Sequence, residues 1–348
     1  MADPREARLR LIRSANVGPV TYSQLIARFG GAEAAIEALP MLAARGGGRA
    51  PQLADPALVR REIERVERLG ARYVFLDDAD YPALLAEMET APPALIVRGR
   101  IELAARTVIA MVGARNASAA ACRFARQIAL GLGEAGATVA SGLARGIDTA
   151  AHIGSIGTIS VGGGTIGVIA SGIDIAFPPE NAELQERVAT EGLLLAEQPP
   201  GTEPLARFFP SRNRIIAGLA LGTVVVEAAP RSGSLITARI AADAGREVMA
   251  VPGSPLDPRA QGCNLLIREG ATLVQSVEDI LEAVRPIDAR AVRSPGTGYD
   301  AGPPQDAGDS DRRAVSALLG PVPVAVDELI RQAGLAPSVV QTVLLELE

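Results

Sequence analysis

Hydrophobic and polar positions divide the chain into four textures. Over residues 5–70, apolar positions recur at helical spacing, as at Leu25, Ile26 and Phe29 and then at Ile36 and Leu39, so this segment predicts helices. Gly18-Pro19 and Gly30-Gly31 punctuate them. The stretch NVGPVTYSQLIARFGG suits either a helix-hairpin-helix presenting backbone amides to phosphate or a small helical packing module. From Tyr73 the pattern changes to short apolar runs separated by helical stretches. The runs fall at 73–76, 95–97, 108–112, 138–140, 166–170, 193–196, 223–227, 248–251 and 272–274. Such alternation predicts the α/β class, with a mostly parallel sheet covered on both faces. Residues 286–312 are rich in Pro, Gly, Asp and Ser and predict a flexible linker. Residues 313–348 then read as helices and turns suited to a helix-turn-helix or winged-helix module. Because the chain stops in the last helix, that module is expected to lack its wing. The expected domains are 1–70, 71–285, the linker 286–312 and 313–348.

Composition narrows the function classes. The 348 residues are 48% hydrophobic, enough to fill the cores of two to three domains. The longest apolar runs, such as 223–229, are too short to span a bilayer, and the first residues alternate charged and apolar positions without a signal-like block. A soluble, cytoplasmic protein with no membrane partner is expected. Cys122 and Cys263 match no metal or redox spacing, and His152 is the only histidine. No metal or cofactor is expected. All 34 basic residues are Arg, whose forked guanidinium binds phosphate bidentately. The formal net charge of −6 means that any nucleic-acid site must be a local cluster.

Two glycine strings imitate a dinucleotide fingerprint. GLGEAG at 131–136 ends a helix, and GGGTIG at 162–167 leads into a strand. A fingerprint needs its glycines after a strand and at the start of a helix, so neither predicts a nicotinamide or flavin site.

The candidate chemistry lies in four loops. The first follows the strand run at 108–112 and holds Gly113, Ala114, Arg115 and Asn116, with a helix starting near Ser118. A tight turn, a helix N-terminus and an Arg fork together suit an anion, although an ordinary strand-to-helix turn reads alike. The second loop, SGLARGID, offers Ser141, Gly142, Arg145 and Gly146, with Asp148 placed to cap the following helix and His152 one turn on as a packed residue. In the third, FFPSRNRIIAG, Arg212 and Arg214 flank Asn213, with no acid between Leu205 and Gly222. The fourth, APRSGSLITA, brings Ser232, Gly233 and Ser234 to a helix start, with Thr237 a turn later. Loops at the carboxyl ends of parallel strands meet where the strand order reverses, so the four are expected to converge on one phosphate-binding pocket. Seven Arg against two Glu between Arg98 and Arg145 agree in sign.

The strings SGLARGID with its following AH, FP-x-RNR-IIAGL, VVVEA with RSGSLITA, VPGSP and GCN-LLI-REGA occur in an order and spacing that resembles the DNA-processing protein A (DprA/Smf) family over about residues 72–284. The resemblance implies an extended Rossmann-like domain, a SAM/helix-hairpin-helix-like N-terminal module and a winged-helix-like C-terminal module. It implies a non-enzymatic single-stranded DNA-binding homodimer that protects incoming DNA and loads RecA recombinase in natural transformation. By that resemblance Arg115, the 141–148 loop and the 212–214 segment form the DNA pocket. The family's Gly-Ser-Arg loop reads Gly113-Ala114-Arg115 here, one hydroxyl fewer, and FPPEN at 177–181 lacks the lysine of some relatives.

With 3% aromatics and no Trp, recognition is expected to rest on phosphate, tolerating sequence and weakening with salt. Phe177, Phe208 and Phe209 are the nearby aromatics, each expected to pack in the core. The tail from Gly320 carries one Arg against four acids, which suits partner docking or regulation better than a DNA groove. The alternative is a nucleotide-binding enzyme of the lysine-decarboxylase-like phosphoribohydrolase type. Its P-G-G-x-G-T-x-x-E signature is absent, and residues 229–234 stand in the comparable place without a catalytic Glu.

Overall fold

The computed structural model of the protein describes residues 4–45, 52–285, 307–320, 324, 326–337, 339–340 and 343–344. Helices α1 (Pro4–Ile12), α2 (Pro19–Phe29), α3 (Ala32–Arg45) and α4 (Pro56–Arg68) come first. Each of the nine predicted strands forms: β1 (Arg72–Phe75), β2 (Ala94–Gly99), β3 (Val108–Gly113), β4 (Thr138–Ser141), β5 (Gly164–Gly172), β6 (Leu193–Gln198), β7 (Gly222–Val226), β8 (Glu247–Ala250) and β9 (Thr272–Leu273). The short α5 (Ala83–Ala86) separates β1 from β2. Then α6 (Ala119–Glu134), α7 (Ile147–Ser155), α8 (Ala182–Glu191), α9 (Phe208–Leu219), α10 (Gly233–Asp243), α11 (Gln261–Arg268) and α12 (Val277–Ala283) follow β3 to β9 in turn. The two imitation fingerprints sit as read, the first at the end of α6 and the second leading into β5.

The sheet order is β1-β2-β6-β5-β4-β3-β7-β8-β9. Neighbours from β6 to β9 run parallel, and β2 pairs antiparallel with both β1 and β6. This is the extended, mostly parallel Rossmann-like sheet. Side chains alternate between its faces, as the strand period of two requires. Val108, Ala110 and Val112 of β3 join α9, α10 and α11 in one core, while Ile109 and Met111 join α6, α7 and α12 in the other. Each fully buried aliphatic side chain of this kind stabilises by roughly 1.5–3 kcal/mol.

The N-terminal helices enclose their own small core around Leu11, Tyr22, Leu25, Ala35 and Leu39. Val59, Ile63 and Val66 of α4 instead pack on Tyr73, Phe75 and Ile96 of the sheet. Residues up to Arg285 therefore form one compact unit, whereas the sequence reading set a boundary at residue 70. A second unit begins at Pro286 and has its own core around Val315, Leu329 and Val340. Its helices are α13 (Asp309–Leu318) and α14 (Val326–Ala333), so helix begins inside the stretch expected as linker. The rest of that expected linker, 286–306, lies outside the described residues, as does most of the expected last helix from Ser338. Among the described residues no helix is long and apolar enough to cross a membrane.

Candidate nucleic-acid interface

The strand order reverses beside β3. The chain runs outward through β4, β5 and β6, then returns to lay β7 against the other edge of β3. Crevices for ligands form outside the carboxyl ends of strands at such a reversal. A cleft of about 760 Å³ lies there. Gly113, Ala114, Arg115 and Asn116 line it from the β3 loop, and Arg231, Ser232, Gly233 and Ser234 from the β7 loop. Phe209, Arg212 and Asn213 of α9 complete it. An adjoining pocket of about 100 Å³ shares Arg115, Phe209 and Arg212 and adds Gly142, Arg145 and Phe177. The four loops therefore converge as the sequence predicts, but their polar groups meet different fates.

The β3 loop is open to solvent. Gly113 pairs with Val226 so closely that a Cβ would collide with the Val226 carbonyl and the Ile147 side chain. Arg115 and Asn116 are exposed. The Arg115 guanidinium lies over the Phe209 ring, 5.2 Å from its centroid, and has no ion-pair partner among the described residues. Stacking of this kind leaves the N–H edge of the fork available. The helix end behind the loop is occupied, however. Ser118 caps α6, and its own amide and hydroxyl both donate to the Glu227 carboxylate, at 2.8 and 2.6 Å. Glu227, left-handed at φ 50°, thus places a fixed anion where the sequence reading puts an external one.

The β4 loop is closed on itself. Ser141 is buried and donates its hydroxyl to the Met111 carbonyl at 2.6 Å. The Gly142 and Ala144 amides both donate to Asp148 Oδ2, at 3.1 and 3.3 Å. Asp148 therefore reaches back to the loop rather than capping α7. Arg212 Nη1 lies 3.9 Å from the same oxygen, with both side chains less than a tenth exposed. A Cβ on Gly142 would overlap that Nη1 atom, so only glycine admits the guanidinium. Ser141, Gly142 and Arg212, read from the sequence as phosphate contacts, are all buried here, Ser141 bonded to Met111 and the other two facing Asp148. Burial raises the Asp148 pKa above the usual carboxylate range, against the pull of Arg212, and lowers that of Arg212. Gly146, at φ 74°, carries the chain under the Ala114 carbonyl. Arg145 alone of this loop is exposed, and it pairs with Glu180. His152 is fully buried, its Nδ1 2.7 Å from the Thr165 hydroxyl. Desolvation, with Arg212 nearby, pushes its pKa down to about 3, so it packs as a neutral ring.

On α9 the two predicted arginines diverge. Residues two apart on a helix point about 200° apart, so Arg212 and Arg214 cannot serve one face. Arg214 leaves the cleft and pairs with Glu197 at 2.5 Å. Asn213 stays in the cleft, its amide near the Gly233 carbonyl at 3.5 Å. Ser232 caps α10, accepting from the Ser234 amide, and the two hydroxyls lie 2.6 Å apart. Gly233 is exposed and Ser234 buried.

The sequence reading gave no binding role to Arg231, Arg259 or Glu227, and expected the aromatics at the mouth of the cleft to pack in the core. Arg231 is exposed and left-handed at φ 72°, and Arg259 pairs with Asp257. Phe177, 41% exposed, meets Phe209 edge to face at 5.8 Å, so neither packs solely in the core. Arg115, Arg212, Arg231 and Arg259 line the cleft against one acid, the buried Asp148, so it is locally positive despite the net charge of the chain.

Comparison with known proteins fits this architecture. Residues 72–285, which hold every strand among the described residues and the whole cleft, match the family DNA recombination-mediator protein A. The chain belongs to that family. Residues 2–64 match its DprA-like N-terminal HHH domain and residues 300–348 the DprA winged helix domain. The DNA processing protein DprA of Streptococcus pneumoniae is 44% identical over 227 residues, 65% of this chain and 77% of that protein. Its X-ray structure superposes with a TM-score of 0.61, covering 66% of this chain and 78% of that one, at 41% identity. DNA processing protein A of Helicobacter pylori, whose structure concerns its single-stranded DNA binding mode, shares the fold at 24% identity and a TM-score of 0.53, over 60% of this chain and 94% of that one. A DNA recombination-mediator protein A member is thus recognised here both by its sheet domain and by the modules that flank it.

Proposed function

We propose that this chain is a non-enzymatic, cytoplasmic single-stranded DNA-binding protein that grips the strand in the switch-point cleft. In this role it protects incoming DNA and loads RecA recombinase in natural transformation, acting as a homodimer. The observation that carries the reading is the mouth of the cleft. Arg115 lies over the Phe209 ring with its guanidinium unpaired among the described residues, beside the exposed ring of Phe177. A guanidinium for phosphate and an aromatic face for a base suit an unpaired strand, whose bases are free to stack. Phosphate contacts by Arg115, Arg231 and the exposed Gly233 amide carry no base information, so binding tolerates sequence and weakens with salt. Gel shifts with single- and double-stranded oligonucleotides of equal length across a salt series test this. Preference for the single strand with a negative salt slope supports it, and equal affinity for the duplex sinks it. Sedimentation of the full chain tests the homodimer. RecA filament growth on a protected strand, with and without the chain, tests loading.

The nucleotide-hydrolase alternative is not favoured. Residues 229–234 offer no acid, and Glu227, the acid nearest in sequence, is engaged by Ser118. Release of free base from nucleoside monophosphates would revive it.

A further inference from the structure

The hairpin singled out in the sequence takes no part in the switch-point cleft. Val17, Gly18 and Pro19, at the start of α2, line a separate cavity of about 300 Å³. Its other walls come from α9, β6, the start of β2 and the end of α1 with Arg13. Helix α9 serves both cavities through different faces. Phe209, Arg212, Asn213 and Ile216, at i, i+3, i+4 and i+7, line the cleft. Arg207, Ser211 and Arg214, at i, i+4 and i+7, line the second cavity. The helix with its side chains is about 10–12 Å across, so a strand leaving one cavity reaches the other within a few nucleotides.

The second cavity is built for negative charge. Three Arg line it, Arg13, Arg207 and Arg214, against one acid, Glu197. Arg13 is held by Glu62 at 2.8 Å and Arg214 by Glu197 at 2.5 Å. Arg214 Nη1 is buried with no hydrogen-bond partner. Arg207 is exposed, stacked on the Phe208 ring at 4.9 Å, with no ion pair among the described residues. Its charge is uncompensated, and its pose repeats that of Arg115 on Phe209. Across the cavity Gly18 caps α2 without a side-chain bond, which leaves first-turn amides without an intrahelical acceptor.

We infer that this cavity is a second holding point for the same DNA strand, taking a phosphodiester of the segment that runs past the N-terminus of α9. The inference rests on the switch-point reading. It gives the N-terminal helical module a direct part in binding and makes affinity depend on strand length.

Fluorescence anisotropy of the full chain with oligothymidylates of about 6 and about 25 nucleotides, across a salt series, tests it. Arg207→Glu is expected to weaken the long strand about tenfold, lower its salt slope by about 0.7 for each phosphate no longer neutralised, and leave the short strand unchanged. Val20→Glu, which places a carboxylate in the first turn of α2, is expected to act the same way. An acid there favours the helix, so misfolding does not account for a loss. Arg115→Ala is expected to weaken both lengths. If Arg115→Ala weakens both while Arg207→Glu weakens neither, or weakens both equally, the second holding point is overturned and the switch-point cleft stands. If Arg115→Ala weakens neither while Arg207→Glu still weakens the long strand, the cavity is upheld and the switch-point reading fails.

Discussion

Two neighbouring strand ends, those of β3 and β4, carry the same kinds of residue and use them in opposite ways. Each offers a glycine, an arginine and a helix start. After β4 the donors face inward, with Ser141 on Met111 and the Gly142 and Ala144 amides on Asp148, and Arg212 is drawn down beside them. After β3 the glycine turn leaves Arg115 and Asn116 in solvent. The difference is the acid. Asp148 supplies the β4 loop with an internal acceptor, whereas Glu227 reaches only the Ser118 end of the β3 loop. One loop is closed into a frame and the other is left open, as the proposed grip on DNA requires, and composition alone does not tell which.

The largest expected effect breaks the frame. Asp148→Ala leaves the Arg212 guanidinium buried without its counter-charge and is expected to lower stability by about 3–5 kcal/mol in urea unfolding. An unchanged midpoint would show that the pair holds nothing. Next comes the neutral ring behind that loop. Because the His152 pKa is depressed from 6.5 to about 3, the unfolded chain binds a proton in this window that the folded chain refuses. Its contribution to stability is complete above pH 6.5 and is lost as pH falls, by about 2 kcal/mol at pH 5. With no other histidine in the chain, His152→Gln is expected to flatten the difference in unfolding free energy between pH 7 and pH 5. A variant with the same slope as the parent would contradict the buried neutral ring.

Arg115→Ala sharpens the comparison from the other side. Its expected cost is about 1.4 kcal/mol of single-strand affinity, a tenfold loss, with the unfolding midpoint unmoved. A destabilised variant with intact binding would make this loop a frame as well. Ser141→Ala is expected to cost least, about 1 kcal/mol of stability, by orphaning a buried carbonyl while leaving DNA affinity alone.

The fold was legible because its signal is periodic. Nine apolar runs became nine strands, since burial on both faces of a parallel sheet demands continuous aliphatic stretches. The convergence of the loops was legible from topology. The fate of each donor was not, because it depends on contacts across the sheet, such as Asp148 with Arg212 and Glu227 with Ser118, at sequence separations of 64 and 109. One divergence was legible in advance. Arg212 and Arg214 stand two apart in a helical segment, and helical geometry alone assigns them to different faces. Glu227 also left a trace in the sequence, as the one acid closing an otherwise apolar strand run at 223–227.

The carboxylate of Glu227 at the head of α6 acts as a tethered decoy. A lone phosphate ion or mononucleotide arriving at the cleft finds that helix end already filled, and the remaining donors are scattered over the rim. Small anions are therefore expected to compete poorly, and tight retention to require many charges on one tether. On the proposed reading, such a surface is expected to pass over single nucleotides and to hold polymers.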